Sequence, residues 1–547
     1  MKYNKLYRFT ISLIIAAIAQ TVAALDLSHY ATESVLASGH WVKISVDDSG
    51  LYRIPASTLR KWGFSDPSKV RIHGYGGQRI ADALNADNYI DDLPAISMSV
   101  GNDGSIIFYG VGPYSWDSGD VMSRQSNPYS TVGYYYVGES SAESPAIGKT
   151  ASPGATSPAT TFIERLQHEQ DLVSPGEAGQ LLVGEDFRYT PTCHFKFELP
   201  DLCGNVSFKT SFIAKTTGAS SRLSFTANGN AVDAVASDAI SSSDASSEVY
   251  GTDGRTSHVL SGISSPLELT ITHSATSIVY GAWLNFIAVN YERSLRLPNS
   301  GALAFRSNSR GIKLADATSW ARVWDVTDPR AIKEVDFSLD GNDALWTATQ
   351  SGAREYVAWT ESAKLPEPNF VGKVSNQNLH ADQSADMVIF TYPAWRAQAE
   401  RIAELHRGAP DNMTVIVTDA EEVYNEFSSG SPDVSGLRKY LKMLYDRGNA
   451  EGKPLRYALL MGRMTYDERH LTSGVRAIGA PTLPGWQQRE DRLSLDAKQG
   501  FVTDDFLAML DDGSGMRLGA DVLSIAVGRL PVTSASTAKT ITDKIID

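Results

Sequence analysis

The stretch "DMVIFTYPAWRAQAERIAELHRG" at residues 386–408 decides the fold class of the last third of the chain. The apolar run 387–390 has the length of a buried strand, while Pro393 and Gly408 stand where a helix begins and ends. Four more segments continue this alternation of strand and helix: "MTVIVTD" at 413–419, "SPDVSGLRKYLKMLYDRG" at 431–448, "YALLMG" at 457–462 and "VLSIAVGRLP" at 522–531. The pattern predicts a mostly parallel sheet that is covered on both faces and carries its chemistry at the carboxyl ends of the strands.

The sequence before this sheet is typical of β structure. In "HWVKISVDDSGLYRI" at 40–54, apolar and polar residues alternate on both sides of a turn, and many short strand-like segments follow. A Ser/Pro/Ala-rich stretch from residue 140 places a domain boundary near residue 160. We therefore predict a multidomain chain, with N-terminal β-sandwich-like domains at 25–160 and 161–375 and an α/β domain that begins at 376 and continues to 547.

Composition and charge narrow the class of protein. The chain has 547 residues, of which 42% are hydrophobic, so it can build several ordinary cores. Its 49 Lys and Arg against 63 Asp and Glu give a net charge of -14, which argues against a nucleic-acid partner. Residues 1–24 combine three basic residues with the apolar run "ISLIIAAIAQTVAA", the form of a cleavable signal peptide. We therefore expect an exported protein.

Export makes the only two cysteines informative. Cys193 and Cys203 flank "HFKFELPDL", where alternating residues precede a Pro-Asp turn. This pattern predicts the two arms of one hairpin, and a disulfide across so short a loop would add about 2 to 3 kcal/mol in the loop-entropy model. Two buried thiols without a bond are the alternative.

Common catalytic motifs are absent from the sequence: it has no G-x-S-x-G, H-E-x-x-H or dinucleotide-binding glycine pattern. The α/β part has three histidines, His380, His406 and His470, and no cysteine. His406 falls at a predicted helix C-terminus, where a cation is favoured without catalysis. These patterns alone single out no catalytic residue and no cofactor-binding residue.

Two carboxylate clusters of the α/β part draw attention. They are "YDERH" at 466–470 and "TDDFLAMLDDG" at 503–513, the second with Asp504, Asp505, Asp511, Asp512 and Gly513. Their oxygens suit calcium, but the spacing of a twelve-residue calcium loop is missing. Calcium is left open against a role as solvated turns and helix caps.

Several of these segments together resemble the gingipain-type cysteine peptidase family. The matching segments in the α/β part are "VYNEFSSGSPDVSGLRKYLKMLYDRG", "YALLMGRMTYDER", "TDDFLAMLDD" and "IAVGRLPVTSASTAKTITDKII". In the β part, "GLYRIPASTLRKWGF", "RIHGYGGQRI", "IIFYGVGPYSWD" and "NPYSTVGYYYV" are similar to the sortases of the type IX secretion system within this family. Arg463-Met464 and "GWQQ" depart from the family pattern, which puts local loop function in doubt.

The resemblance implies a caspase-like sheet and an exported cysteine peptidase that removes C-terminal sorting domains from secreted cargo proteins. It further implies outer-membrane partner proteins of type IX secretion and a location at the cell surface, on the outer membrane or in the periplasm. The family's catalytic His and Cys would follow the helix that starts near Ser534, so we expect this sequence to be an N-terminal fragment, inactive alone. A general secreted gingipain-like protease and a non-catalytic surface or binding protein are the alternatives.

Overall fold

The computed structural model describes residues 25–140, 144–241, 249–479, 481–517 and 519–547. The predicted signal peptide at 1–24 lies outside these residues. Within them, no helix combines the length and the apolar character needed to cross a membrane.

The first β unit forms around strands that alternate apolar and polar residues, as predicted. Its two sheets share a core that includes Ile44, Ile72 and Phe108. The edge strand of the larger sheet is Asn369–Val374, which comes from much later in the chain. Residues before 160 therefore do not form this unit by themselves. The elements are β1 (Trp41–Val46), β2 (Gly50–Ile54), α1 (Ala56–Trp62), β3 (Val70–His73), β4 (Met98–Val100), β5 (Ile106–Gly110), β6 (Tyr114–Trp116), β7 (Arg124–Ser126) and β8 (Gly133–Glu139), with 3-10 turns at Leu27–His29, Val35–Ala37 and Pro67–Lys69.

The stretch expected to link the domains contains two short strands, β9 (Gly148–Thr150) and β10 (Ser152–Pro153). They pair with strands that lie almost 200 residues further along the chain. Such pairing cannot be seen in a local sequence pattern.

A β-sandwich follows, as the sequence predicts. Two four-stranded antiparallel sheets face each other across a core that contains Phe208, Phe225 and Leu284. Their strands are β11 (Thr161–Glu169), β12 (Thr192–Phe197), β13 (Leu202–Thr217), β14 (Ser221–Ala227), β15 (Asn230–Ser237), β16 (Thr252–Leu260), β17 (Leu267–Ser274) and β18 (Ile278–Ser294).

The hairpin predicted around the cysteines is wrong. Cys193 lies on β12, which pairs with β17, whereas Cys203 lies on β13 in the opposite sheet. Both thiols are free in the structure, so the predicted disulfide is not formed. The Pro-Asp turn joins one sheet to the other, and the alternation that resembles a hairpin reflects two strands that each pack against the same core.

A second pair of sheets divides the predicted domain 161–375 further. The two sheets share a core that includes Trp346 and Tyr356. The short strands β9 and β10 each form part of one of these sheets. Its own strands are β19 (Ala302–Ser307), β20 (Gly311–Leu314), β21 (Ala321–Asp325), β22 (Lys333–Val335), β23 (Ser338–Asp340), β24 (Asp343–Thr347) and β25 (Arg354–Thr360), after which β26 (Asn369–Val374) returns to the first unit.

The predicted α/β part is confirmed. Its sheet is parallel in the order β28-β27-β29-β32, and every residue of β27 is buried, so both faces of that strand are covered. Ser534 caps the last helix, as its position predicts, by accepting a hydrogen bond from Thr537 N. The elements are β27 (Met387–Thr391), α2 (Arg396–Arg407), β28 (Val415–Asp419), α3 (Ala420–Phe427), α4 (Val434–Glu451), β29 (Tyr457–Met461), α5 (Ser473–Arg476), β30 (Trp486–Gln487), α6 (Asp491–Ser494), β31 (Val502–Thr503), α7 (Asp505–Ala508), β32 (Ala526–Leu530) and α8 (Ala535–Ile546), with 3-10 turns at Leu379–Ala381 and Pro393–Trp395.

Candidate active site

A cavity of about 630 Å³ lies at the carboxyl ends of the parallel strands. The chain moves from β27 outward to β28 and then crosses back to β29 on the other side, so the strand order reverses between β27 and β29. Ligands of open α/β sheets bind in the crevice at such a reversal. Tyr392 follows β27, Asp419 ends β28, and Glu468 and His470 lie in the loop after β29, all of them lining this cavity.

Glu468 is the buried acid of the cavity. Its carboxylate accepts hydrogen bonds from the backbone amides of Thr465 and Gly485, at 3.3 and 3.4 Å, and from Thr482 Oγ1 at 3.3 Å. Burial raises the pKa of Glu468 to about 7, and these hydrogen bonds offset only part of that effect. A carboxyl group that exchanges its proton near neutral pH is suited to general acid–base chemistry.

His470 is linked to this acid through Thr482, whose Oγ1 lies 3.1 Å from His470 Nε2. Burial lowers the pKa of His470, so its imidazole is neutral at pH 7. Its backbone φ is 56°, a left-handed conformation that is uncommon for residues other than glycine. Strained backbone of this kind concentrates at functional sites.

The wall beside α3 is acidic. Asp419 caps this helix through the Glu421 amide, and Glu421 and Glu422 stand in its first turn, where the helix dipole favours negative charge. Burial raises the pKa of both Asp419 and Glu422. This wall can hold a positively charged group of a bound molecule.

A second part of the lining comes from the first β unit. Lys43 on β1 donates hydrogen bonds to Asn425 Oδ1 at 3.1 Å and to the Gly430 carbonyl at 2.9 Å, and its Nζ lies 4.4 Å from the centre of the Tyr134 ring. Burial lowers the pKa of Lys43 to about 8. Residues 371–375 of β26 and the segment after it complete this part of the lining. The cavity is thus a cleft between the β unit and the α/β sheet.

His380 lies elsewhere, in a buried ion cluster at the same domain junction. With Asp92 and Glu426 it forms a group that has the spacing of metal ligands. However, the Glu426 carboxylate already accepts four hydrogen bonds, from Gln377 Nε2, the Leu379 and His380 amides and His380 Nδ1. Burial lowers the pKa of His380, but hydrogen bonds to Asp91 and Glu426 outweigh it and raise the pKa to about 9. The group is therefore an imidazolium held by carboxylates rather than a metal site.

Two of the aspartates considered for calcium, Asp504 and Asp512, serve as ion-pair partners. The Asp504 carboxylate accepts hydrogen bonds from Nε and Nη2 of Arg529, at 2.8 and 2.6 Å. The Asp512 carboxylate lies 2.7 Å from Lys442 Nζ. Asp505 begins α7, and Gly513 donates its amide to the Leu84 carbonyl. None of these residues, nor Asp511, belongs to a metal-ligand group within the described part of the chain.

The sequence pointed to part of the cleft only. "YDERH" drew attention to Glu468 and His470 but assigned them no role, and His406 bonds Asp411 at the surface as its helix position suggests. Thr482 and Lys43 were missed. Thr482 has no motif around it, and Lys43 lies about 400 residues from the loop it faces, so only the tertiary structure brings them together.

Comparison with known proteins first defines a class. Residues 380–547 match the family model described as peptidase family C25, and this range spans the parallel sheet and the cleft loop. The α/β part therefore carries the pattern of a peptidase family, in agreement with the gingipain-type resemblance.

A solved structure then narrows the likeness to one protein. The chain is similar to dimeric latent PorU from Porphyromonas gingivalis, with a TM-score of 0.85 and 28% identity over 95% of this chain. The chain spans half the length of that PorU chain. The likeness includes the β units as well as the α/β part and supports a gingipain-like cysteine peptidase.

Weaker matches add no argument. A family 35 carbohydrate-binding module from Clostridium thermocellum is 15% identical, over 27% of this chain and 98% of its own, with a TM-score of 0.15. An isomalto-dextranase from Arthrobacter globiformis is 13% identical, over 47% of this chain and 36% of its own, with the same TM-score. No curated protein matches the sequence.

Proposed function

We propose that this chain is the N-terminal part of an exported cysteine peptidase that acts as a sortase in type IX secretion. It removes C-terminal sorting domains from secreted cargo proteins, at the cell envelope and together with outer-membrane partners. The single observation that carries this proposal is the likeness to PorU over 95% of the chain, which extends through the β units and not only through the peptidase part.

The cleft is the place where the chemistry would occur. A cysteine peptidase forms an acyl-enzyme through thiolate attack and needs groups that take and give protons beside the thiol. Glu468 and His470, joined through Thr482, supply such groups at the carboxyl ends of the strands. Residues 376–547 contain no cysteine, so the α/β part of this chain does not itself supply the thiol.

The experiment compares two substrates for the intact protein purified from the cells that make it. One is a cargo protein with its C-terminal sorting domain, and the other is the same cargo without it. We expect iodoacetamide-sensitive cleavage of the first and none of the second, and no cleavage of either by the 547-residue chain alone.

The alternatives give different results in the same assay. Equal cleavage of both substrates would identify a general secreted protease. Binding of cargo without cleavage by the intact protein would identify a non-catalytic surface protein, and either result would contradict the sortase proposal.

A further inference from the structure

A second cavity, of about 460 Å³, lies where the first β unit, the sandwich and the α/β part meet. It lies apart from the acidic cleft, although one loop serves both: Glu468 and His470 line the cleft, and Arg469 between them lines this cavity. The chain carries a net charge of -14, yet arginine and lysine outnumber carboxylates around this cavity. The lining therefore carries a small excess of positive charge in a chain that is negative as a whole.

Most of the cations around the cavity are already paired. Arg469 lies 2.8 Å from Asp171, Arg255 lies 3.1 Å from Asp491, and Arg124 lies 3.5 Å from Glu169. Arg489 pairs with Asp82, and Lys209 pairs with Asp117. These carboxylates neutralise their own partners, and Glu490 is the remaining carboxylate of the lining.

Arg79 and Arg492 have no ion pair among the described residues, and of the two only Arg79 is partly buried, since Arg492 is exposed. The Nε and Nη2 of Arg79 are buried without a hydrogen-bond partner in the part of the chain that the structure describes. Burial lowers the pKa of Arg79, and the charges of Tyr129 and Asp433 offset this in part. The neighbouring Arg489 has its pKa lowered to about 9, first by burial and then by the charge of Arg79. The charges of the two guanidinium groups thus act on each other, and of the two only Arg489 has a carboxylate partner in the described chain, Asp82.

Further unpartnered donors belong to the same cavity. Arg124 Nε, Arg489 Nε and Gln180 Nε2 are buried and have no hydrogen-bond partner within the described chain. Together with the two nitrogens of Arg79, these N–H groups come from the first β unit, the sandwich region and the α/β part. All of them require hydrogen-bond acceptors. A buried donor without an acceptor costs about 1 to 3 kcal/mol, so several beside one cavity indicate a missing ligand.

We propose that this cavity binds a phosphate-type oxyanion, with Arg79 as its principal ligand. Guanidinium groups present planar pairs of N–H donors that match the oxygens of phosphate. A tetrahedral oxyanion also has enough oxygens for donors that arrive from several directions, whereas a carboxylate has two. The proposal does not rest on the sortase function, because no residue of the cleft takes part in it except through the shared loop.

The test is isothermal titration of the full chain with sodium phosphate at constant ionic strength, with sodium chloride as the blank. Methyl phosphate represents the end group of a phosphomonoester, and sodium acetate represents a carboxylate. We expect phosphate, methyl phosphate or both to bind and acetate to bind far more weakly. Binding of methyl phosphate would indicate a phosphomonoester ligand, and binding of phosphate alone would indicate the free ion.

Single substitutions test whether phosphate binds in this cavity. Arg79→Gln should weaken phosphate binding about tenfold or more, because it removes a charged donor pair. Arg60→Gln, on the exposed surface of α1, is the matched control and should leave it unchanged. Gln180→Leu, which removes one neutral donor, should weaken it a few-fold.

Thermal unfolding separates a ligand from a structural role. Without phosphate, Arg79→Gln should melt no lower than the original chain, because the variant removes an unpaired buried charge. Phosphate should raise the Tm of the original chain but not of Arg79→Gln. Failure of Arg79→Gln to fold, phosphate binding that survives this substitution, no phosphate binding at all, or acetate binding as tight as phosphate would each overturn the proposal.

Discussion

Glu468 is a buried carboxyl group of the cleft, and its raised pKa places its titration near neutral pH. Its pKa rises on folding from an ordinary 4.5 to about 7 because of burial, so the folded state holds the proton more tightly than the unfolded chain. Its contribution to stability therefore falls as the pH rises through this window. Glu468→Gln cannot ionise, and its Tm relative to the original chain should be higher at pH 8 than at pH 5, by an amount equivalent to up to about 3 kcal/mol.

Melting curves at pH 5, 6, 7 and 8 check this prediction. Glu33→Gln, at an exposed position, is the control and should show a constant difference. A pH-independent difference for Glu468→Gln would mean that the carboxyl group does not titrate in this range.

His380 is the second titrating residue, and its effect comes from ion pairing. Its Nδ1 lies 2.6 Å from Glu426 Oε2, and both side chains are fully buried. His380→Gln leaves the carboxylate without its cation and should lower the free energy of unfolding by about 3 to 5 kcal/mol. Because the pKa of His380 is raised from 6.5 to about 9, this loss should be complete below pH 6.5 and shrink as the pH rises through 9.

Urea unfolding at pH 6 and pH 9.5 measures that loss. The double variant with Glu426→Gln should recover part of it, because no buried charge is then left alone. His406→Gln is the control, since its partly exposed pair with Asp411 should contribute less than about 1 kcal/mol. Equal losses for the two histidine variants would contradict the ion-cluster interpretation.

At the scale of the element, α4 shows how packing overrides helix propensity. Propensity favours Ala over Gly inside a helix by about 1 kcal/mol. A Cβ at Gly448, however, would fall against the carbonyl oxygen of Lys453, a backbone atom that cannot move aside easily. We therefore expect Gly448→Ala to lower the Tm, whereas Gly474→Ala on α5, where the nearest atom is 3.8 Å away, should not.

Thermal melts of the two glycine variants test this directly. A rise in Tm for Gly448→Ala would show that the turn after α4 relaxes around the new methyl group. In that case, close packing against the turn would not be the reason for a glycine at position 448.

At the scale of the whole molecule, the α/β part depends on the first β unit. Buried Lys439 on α4 donates a hydrogen bond to the Ile90 carbonyl, and buried Arg438 donates to the Asp82 carbonyl. Expressed alone, residues 376–547 would lose these acceptors and two of the carboxylates near His380, Asp91 and Asp92. We expect this fragment to aggregate, because buried charges without partners are costly.

The sandwich offers the matched comparison. Residues 161–294 contain both of its four-stranded sheets and the core between them. We expect this fragment to be monodisperse and to unfold cooperatively, as size-exclusion chromatography and circular dichroism can show. A soluble, cooperatively unfolding fragment 376–547 would contradict the dependence on the β unit.

Local patterns predicted the α/β part well. The buried-strand runs, Pro393 before α2, Gly408 after it and Ser534 at the cap of α8 all stand where the structure has them. Each of these signals is contained within one turn or one strand, so it needs no distant partner. The hairpin at Cys193 and Cys203 failed because alternation shows that a strand has one buried face but not which strand it pairs with.

By itself, the sequence determined the class of this protein: β units followed by a parallel α/β sheet, with an acidic loop after β29. Periodicity, helix caps and local charge depend on residues that are close in the sequence, so they can be recognised without the tertiary structure. Only the tertiary structure decided that Lys43 faces the acidic wall of the cleft, that His380 lies beside Asp91 of another unit, and that two nitrogens of Arg79 have no hydrogen-bond partner among the described residues. Burial and pairing across hundreds of residues set these properties, because a charge acquires its pKa from the groups the fold places around it.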